Sequence, residues 1–492
     1  MKITIQKAKN GENTALADGH FLHSNYAPVK EAQRFVENLT FPFTPKIIIL
    51  LEPALSYSAY FFKERFPNIK LGVIRYEKAF EEYNYKFDFV FNYFETNNLE
   101  SRLEQTFNEE ALLSTLFFSW PATSQVYKDI ETPVWKEIKA ALERSKTILI
   151  TRQYFAKRWI LNSFNFLANI KNTISFENKI EKDILIISSG PSLKPFIPYI
   201  HDNQKKFFII CLSSAISLCI EYGIKADLCM TSDGGFWAGE HLKKLNKYDI
   251  PLAMPPEAFS SKKLLNCRQI LPLTYVDGIS NELMQASGLN CKRAVRNGTV
   301  SGTALLFAIE YSDKNIYMCG LDMANQKGFQ HAQPNELEKN AAIFDTRIKS
   351  KENRLARAEL TKGSLDIYKD WFSTNNFEFT NRKVYRLIEK EDRKNSLGSI
   401  IDIDLALFKS LTKNNSENKQ NIFYKSTNPI NLKKIRNFIN ENINNKKWME
   451  EIFPLDYLSL SHNNENTEIK NKIKKEWNNL LNKIFGILDE NI

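Results

Sequence analysis

The sequence predicts an α/β protein with two successive parallel sheets followed by a helical C-terminal domain. Three observations carry this. At 492 residues the chain exceeds one ordinary core, so two or three domains are expected. Short apolar runs alternate with helical patterns twice, over about residues 45–150 and again from 183 to 322, and that alternation marks parallel strands joined by crossover helices. After Gln330 the apolar runs stop, and residues 335–395 and 430–490 are rich in Asn, Lys and Glu at helical spacing. The expected division is 1–178 (an N-terminal α/β domain with a helical connector), 179–334 (a central nucleotide-binding domain) and 335–492 (helical).

In the first unit, VKEAQRFVENL places Val29, Ala32, Phe35, Val36 and Leu39 on one helical face. KIIILLEP (46–53) reads as a strand meeting a turn, YSAYFFKERFP as a helix, and KLGVIRYE (70–77) and FDFVFNYF (87–94) as further strands. The unit is thus Rossmann-like, and residues 151–178 form its helical connector. Its first strand runs into EPALS (52–56) rather than a glycine-rich turn. A pyrophosphate then has no close backbone approach, although Glu77 stands where a ribose-binding acid would. This sheet reads as structural or acceptor-docking.

The second unit opens with DILIISSGPSLKPFIPYI, a strand at 184–188 breaking at Gly190 and restarting as a helix. Strand FFIICL (207–212), helix AISLCIEYG, strand ADLCMTSD (226–233), strand QILPLTYV (269–276), helix GTALLFAIEYS (302–312) and strand NIYMCGLD (315–322) follow. This reads as a doubly wound sheet. The polar stretch 413–432 reads as a loop.

Five polar clusters fall at strand ends of that sheet: Gly190-Pro191-Ser192, Ser213-Ser214, Ser232-Asp233-Gly234-Gly235, the run Gly298 to Thr303, and Gly320-Leu321-Asp322. Ligands of open α/β sheets bind outside the carboxyl ends of the strands. Gly190 lets a ligand approach the backbone, and Ser192 is suited to cap the following helix, whose free N–H groups and dipole suit a phosphate. Taken alone, that turn reads equally well as an ordinary strand–helix turn with a capping serine. Ser301, Gly302 and Thr303 open a second helix with N–H and hydroxyl groups available to a nucleotide. Neither G-x-x-x-x-G-K-[ST] nor G-x-G-x-x-G is present, which disfavours a P-loop ATPase and a standard dinucleotide enzyme.

His331 lies nine residues beyond Asp322 and would reach the same edge. It could deprotonate an acceptor hydroxyl, or it could be a histidine of a surface loop. Asp322 would orient it or bind a sugar, and Asp233 would bind a ribose. TSDGG lacks the second acid of a D-x-D site, so no metal is expected. His20 and His23 precede the first sheet and read as structural.

Net charge is +10, spread along the chain and interleaved with acids over 347–394, as on a solvated helix face rather than a nucleic-acid groove. No run of 18 apolar residues predicts a membrane span, and MKITIQKAKNGEN lacks a secretory apolar region. The six cysteines form no C-x-x-C pair; Cys211, Cys219, Cys229 and Cys319 sit in apolar runs and read as small buried hydrophobes in a reducing compartment. The cytoplasm is the expected location.

Taken together, ISSGPSLK, the Ser213-Ser214 helix, GIKADLCMTSD, SGTALLFAIE, NIYMCGLD and the later GFQH resemble two related groups. One is the motility-associated-factor (Maf) glycosyltransferases, proposed to modify flagellin with nonulosonic acids such as pseudaminic acid. The other is the bacterial sialyltransferases that use CMP-sialic acid, whose sheet is a variant GT-A-like one. DGHFLHSNYAPVKEAQRF also resembles the Maf opening, except that Ala27 stands where that pattern has Asp. The resemblance spans roughly residues 15–335. It implies an inverting transferase that moves a nonulosonic acid from a CMP-activated donor to a hydroxyl of flagellin or another protein. Gly190, Pro191, Ser192, Ser213, Ser214, Asp233, Ser301, Gly302 and Thr303 would hold CMP, and His331 and Asp322 would be catalytic. No cofactor or metal would be required. Archaeal 6-hydroxymethylpterin diphosphokinases share the GPS and G-L-D elements; on that alternative Asp233 and Asp322 would hold Mg²⁺ and ATP. A non-catalytic flagellar assembly factor is the third reading.

Overall fold

The structure is a computed structural model that describes residues 1–95, 98–323, 331–348, 350, 364–417, 422–426, 430–463 and 465–491. The chain forms two compact units, Met1–Ala156 with Met449–Asn478, and Lys157–Trp448 with Asn479–Ile492.

The first unit begins with an antiparallel sheet that the sequence reading did not anticipate: β1 (Ile3–Lys7), β2 (Asn13–Ala17) and β3 (His20–Phe21). The parallel sheet follows as β4 (Ile47–Leu51), β5 (Lys70–Arg75), β6 (Phe89–Asn92) and β7 (Thr115–Ser119), in the order β6-β5-β4-β7. Every residue of β4 is buried because both faces of the sheet are covered. Ile47, Ile49 and Leu51 pack with Ala15, Phe80 and Tyr127, while Ile48 and Leu50 pack with Val36, Ala59 and Phe62. That split is the two-residue period of a strand.

The turn after β4 holds no glycine, yet Glu52, Ala54 and Ser56 have φ of 33, 45 and 60°. An internal ion pair imposes this shape. Glu52 and Arg75, both fully buried, meet at 2.9 Å. Glu52 also accepts from the N–H groups of Tyr76 (2.6 Å) and Glu77 (3.1 Å), and Arg75 donates to Ala54 O and Ser56 Oγ. The edge that would take a pyrophosphate is filled by the protein's own charges.

His23 is structural, as expected. It is buried against Tyr57 and Trp120, and its Nε2 accepts from Leu55 N–H at 3.1 Å. Burial pushes its pKa below the usual 6.5, and the nearby Glu31 only partly offsets this. The unfolded chain therefore takes up this proton at a higher pH than the folded one. The resulting stability is full above the unfolded value and is lost as pH falls below it. Melting temperature should drop between about pH 7 and pH 5, and His23→Gln should flatten that limb; superimposable pH profiles for the two proteins would refute the assignment.

The connector is longer than expected and ends differently. One helix covers Lys128–Asn169, with Pro133 near its start, and β8 (Asn172–Ser175) follows where more helix was expected. Thr173 and Ile174 are β-branched and buried within the next sheet, where β8 pairs on both sides.

Among the described residues that sheet has eleven strands. After β8 come β9 (Asp183–Ile187), β10 (Phe207–Leu212), β11 (Leu228–Met230), β12 (Leu252–Met254), β13 (Gln269–Thr274), β14 (Lys292–Arg293) and β15 (Ile316–Cys319). They are joined by β16 (Val384–Leu387), β17 (Ile401–Ile403) and β18 (Tyr424–Ser426). The order is β17-β16-β15-β9-β10-β11-β12-β13-β8-β18, with β14 beside β13, and only β18 runs antiparallel. The helix Val300–Tyr311 covers one face, packing Ala304, Leu305, Phe307 and Ala308 onto Ile184, Ile186, Phe208, Ile210 and Met318. Cys211, Cys219, Cys229 and Cys319 are buried free thiols, as expected.

Three expectations are corrected. Strands do not stop at Gln330: β16 and β17 extend the sheet in register with β15 (Ile316 opposite Val384). β18 lies within the stretch read as a loop. The regular helical tail starts only at Leu432, with Leu432–Asn442, Lys446–Ile452, Pro454–His462 and Thr467–Asp489. The segment after 334 thus completes the sheet that begins before 178. Among the described residues, no helix is long and apolar enough to cross a membrane.

Candidate functional site

From β9 the chain builds outward through β10, β11, β12 and β13 on one side, and later through β15, β16 and β17 on the other. The order reverses between β9 and β15. In such folds the loops leaving a sheet at this reversal go to opposite faces, and the crevice between them is the usual ligand position.

The two turns at this point are locked together. Ser188 N–H donates to Cys319 O at 2.8 Å and Gly190 N–H to Gly320 O at 2.9 Å. A Cβ on Gly190 would collide with Gly320 O and stand 2.7 Å from Asp322 Cγ. Gly320 has φ +70°, and a side chain there would strike Ser188 O. Both glycines are thus required by the mutual approach of two turns.

Ser192 does not cap a helix as predicted. A 3₁₀ turn, Pro191–Phe196, starts at Gly190 without a side-chain cap, and the α-helix begins only at Ile197. Ser192 instead donates its N–H to Asp322 Oδ2 at 3.1 Å and its hydroxyl to Asp322 Oδ1. The carboxylate thereby takes one of the N–H groups assigned to a phosphate. Burial pushes the Asp322 pKa up, opposed by the two Ser192 hydrogen bonds and the Arg386 cation.

Ser213 and Ser214 follow β10 in a short 3₁₀ turn, with Ser213 buried. Ser214 O accepts from the buried Asn335 side chain at 3.0 Å, and Ala332 N–H donates to Ser189 O at 2.6 Å. This segment ties the ends of β9 and β10 together and holds the neighbouring His331 at the same edge. His331 Nδ1 is 3.8 Å from Glu338 Oε1, and its ring centre is 6.2 Å from that of His241. Of the GFQH motif, Gly328, Phe329 and Gln330 lie outside the described residues.

Burial pushes the Tyr275 phenol pKa up, and the Ser232 and Thr303 hydroxyls of the third and fourth clusters oppose this in part. Asp233 is exposed, and its Oδ1 accepts from Gly235 N–H at 2.7 Å. At the start of the helix Val300–Tyr311, Thr299 Oγ1 accepts from Gly302 N–H at 2.9 Å, and Asn297 in turn holds Thr299. Gly302 leaves room for the Asn297 amide. Part of the predicted donor set is therefore spent on the cap, while Ser301 is half-buried and Thr303 fully buried. The hydroxyls of Ser188 and Thr231, after β9 and β11, are buried without a hydrogen-bond partner. Among the described residues, no three metal-ligating side chains gather.

Sequence reasoning missed the groups behind Asp322. Arg386, 1% exposed, grips Asp402 with two 2.7 Å hydrogen bonds and donates to Asn395 Oδ1 at 3.1 Å and Asn395 O at 2.6 Å. Asn395 Nδ2 reaches Met323 O at 3.3 Å and so braces the turn after Asp322. The short runs VYRLI and SIIDID were the available signal.

The sheet order defines a doubly wound α/β protein, with polar turns at its strand-order switch. Residues 158–328 match the family model described as 6-hydroxymethylpterin diphosphokinase MptE-like. A protein of Treponema pallidum (strain Nichols), described as uncharacterized, is 27% identical over 280 residues, 56% of this chain and 60% of that one. The chain thus spans less than two thirds of that relative's length. Among solved structures, the Maf glycosyltransferase of Magnetospirillum magneticum AMB-1 is similar with a TM-score of 0.50 at 10% identity, covering 99% of this chain and 91% of that one. The chain therefore carries an MptE-like segment within a fold like that of the Maf glycosyltransferase, and the resemblance drawn from the SGPS turn and the later blocks holds.

Proposed function

We propose that this protein is a glycosyltransferase that moves a nonulosonic acid, of pseudaminic or sialic type, from a CMP-activated donor to a hydroxyl of a protein acceptor such as flagellin. What supports this is that the Gly190 turn and Ser213-Ser214 follow adjacent strands of one sheet and are tied to the segment of His331, while the Thr303 helix packs on that same sheet. The Maf-like fold supports it. Gly190, Pro191, Ser192, Ser213, Ser214, Asp233, Ser301, Gly302 and Thr303 would hold CMP. Asp322, locked to Ser192, would keep the crevice in shape. The acceptor oxygen attacks the anomeric carbon with inversion as the bond to phosphate breaks, CMP leaves with the electron pair, and His331 takes the hydroxyl proton. Positive charge builds on the sugar ring in the transition state, as in glycoside hydrolysis. The scheme uses no metal or cofactor and places the protein in the cytoplasm.

The family match favours a second reading, a pterin pyrophosphokinase using ATP and Mg²⁺. In this structure Asp322 is engaged by Ser192 and Asp233 by its own turn, which weighs against both as metal ligands. Thermal shifts with CMP, a CMP-sugar and ATP–Mg²⁺ separate the readings, since a ligand at 100 times its Kd adds about 2.7 kcal/mol. Stabilisation by the cytidine ligands is expected. Stabilisation by ATP–Mg²⁺ alone would replace the first reading with the second, and no response to any of them would favour a non-catalytic assembly factor. The mass of glycan on flagellin, with and without this protein, tests the acceptor.

A further inference from the structure

The ends of β12 and β13 lead to a polar group, Glu257 with Arg296 and Asp277, that none of the roles above uses. Glu257 follows β12 with its side chain 8% exposed. Its Oε1 accepts from Arg296 Nη2 at 3.0 Å, and Arg296 also reaches Asp277 Oδ1 at 3.2 Å and lies 4.4 Å from the centre of the Tyr275 ring. Glu257 Oε2 is buried and has no hydrogen-bond partner.

The backbone behind this carboxylate is fixed. Asn162 Nδ2 donates to both Gly234 O (3.1 Å) and Glu257 O (2.8 Å), and Gly234 has no space for a side chain against Trp159 and Glu257 O. Arg296 holds one oxygen, so the other is a preoriented acceptor with nothing donating to it. A buried acceptor in that state is costly unless a ligand supplies the donor. The Ser232 and Thr303 hydroxyls are close enough to act on the Tyr275 phenol. This combination suits a saturated ring bearing hydroxyls.

We propose that this group is a polyol subsite in which Glu257 Oε2 accepts a hydrogen bond from a hydroxyl of the bound donor. The assignment rests on the glycosyltransferase reading. The hydroxyl belongs either to the ribose of the nucleotide or to the transferred sugar, and titration of the full chain distinguishes them.

Glu257→Gln keeps the size and the acceptor for Arg296 but turns Oε2 into a donor. The probes are CMP, 2′,3′-dideoxycytidine monophosphate and CMP-N-acetylneuraminic acid. If the ribose is the partner, wild type binds CMP roughly tenfold or more tighter than the dideoxy analogue, and the variant loses that preference. If the sugar is the partner, wild type and variant bind the two nucleotides alike, and the variant binds the CMP-sugar roughly tenfold or more weakly than wild type does. Glu257→Asp, with its carboxylate drawn back by one methylene, should shift the same ligand in the same direction, which keeps the test valid if the glutamine variant folds poorly. Ligand preferences that both variants leave unchanged would overturn the subsite alone. A wild-type protein that binds no cytidine ligand would overturn the glycosyltransferase reading and this assignment with it.

Discussion

Gly190→Val is expected to abolish binding of CMP-type ligands while the chain stays folded. The Cβ alone would collide with Gly320 O and come within 2.7 Å of Asp322 Cγ. Neither neighbour can give way cheaply. Gly320 is backbone in the left-handed region, tied to Gly190 by a 2.9 Å hydrogen bond, and the Asp322 carboxylate is held by both donors of Ser192. Valine must therefore part the two turns, releasing Ser192 and opening the crevice where its walls meet. Overpacking of this kind costs about 1–3 kcal/mol, a local strain that a sheet of eleven strands survives. Circular dichroism would show the retained fold, and calorimetric titration the lost affinity. Binding at wild-type strength would place the nucleotide elsewhere.

His331→Ala should lower transfer by ~10²–10⁴, the usual contribution of a positioned acid–base group, with donor affinity nearly unchanged. The geometry motivating this is indirect but specific. Ala332 N–H is bonded to Ser189 O, one residue from Gly190, so His331 cannot drift far from the crevice. Glu338 Oε1, 3.8 Å from Nδ1, can orient the ring. The check is a paired assay of transfer rate and nucleotide binding. Unaltered transfer would make this an ordinary loop histidine and turn attention to Asp322 or Asp233 as the base. Lost nucleotide binding would move His331 to the donor side.

Much of the sheet was legible because its central strands are buried on both faces. Runs such as Ile47–Leu51, Ile184–Ile187 and Phe207–Leu212 have little else they can be. The outer strands β16 and β17 were not legible. They carry Arg386 and Asp402, which look like surface charges until they are seen paired across two adjacent strands. In the site, strand-end glycines and hydroxyls were visible, but their partners were not. Ser192 looked like a cap because the local chain permits one; its true partner is 130 residues away. Glu257 and Arg296, 39 residues apart, offered no motif at all. Local propensity speaks to what a residue can do within a few neighbours, and this crevice is assembled from segments that only the strand order brings together.

The strand order also bears on how the molecule may be divided. Family similarity ends at residue 328, yet β15 pairs on its far side with β16, beyond that limit. Trimming the chain to the matched segment would bare Ile316–Cys319, four buried and mostly apolar residues, as an open edge of unpaired amides. Such an edge recruits whatever strand is near, including its own copies. The segment after 334 is thus a guard against self-association as well as a wall of the crevice, and the similar core is not an independent body.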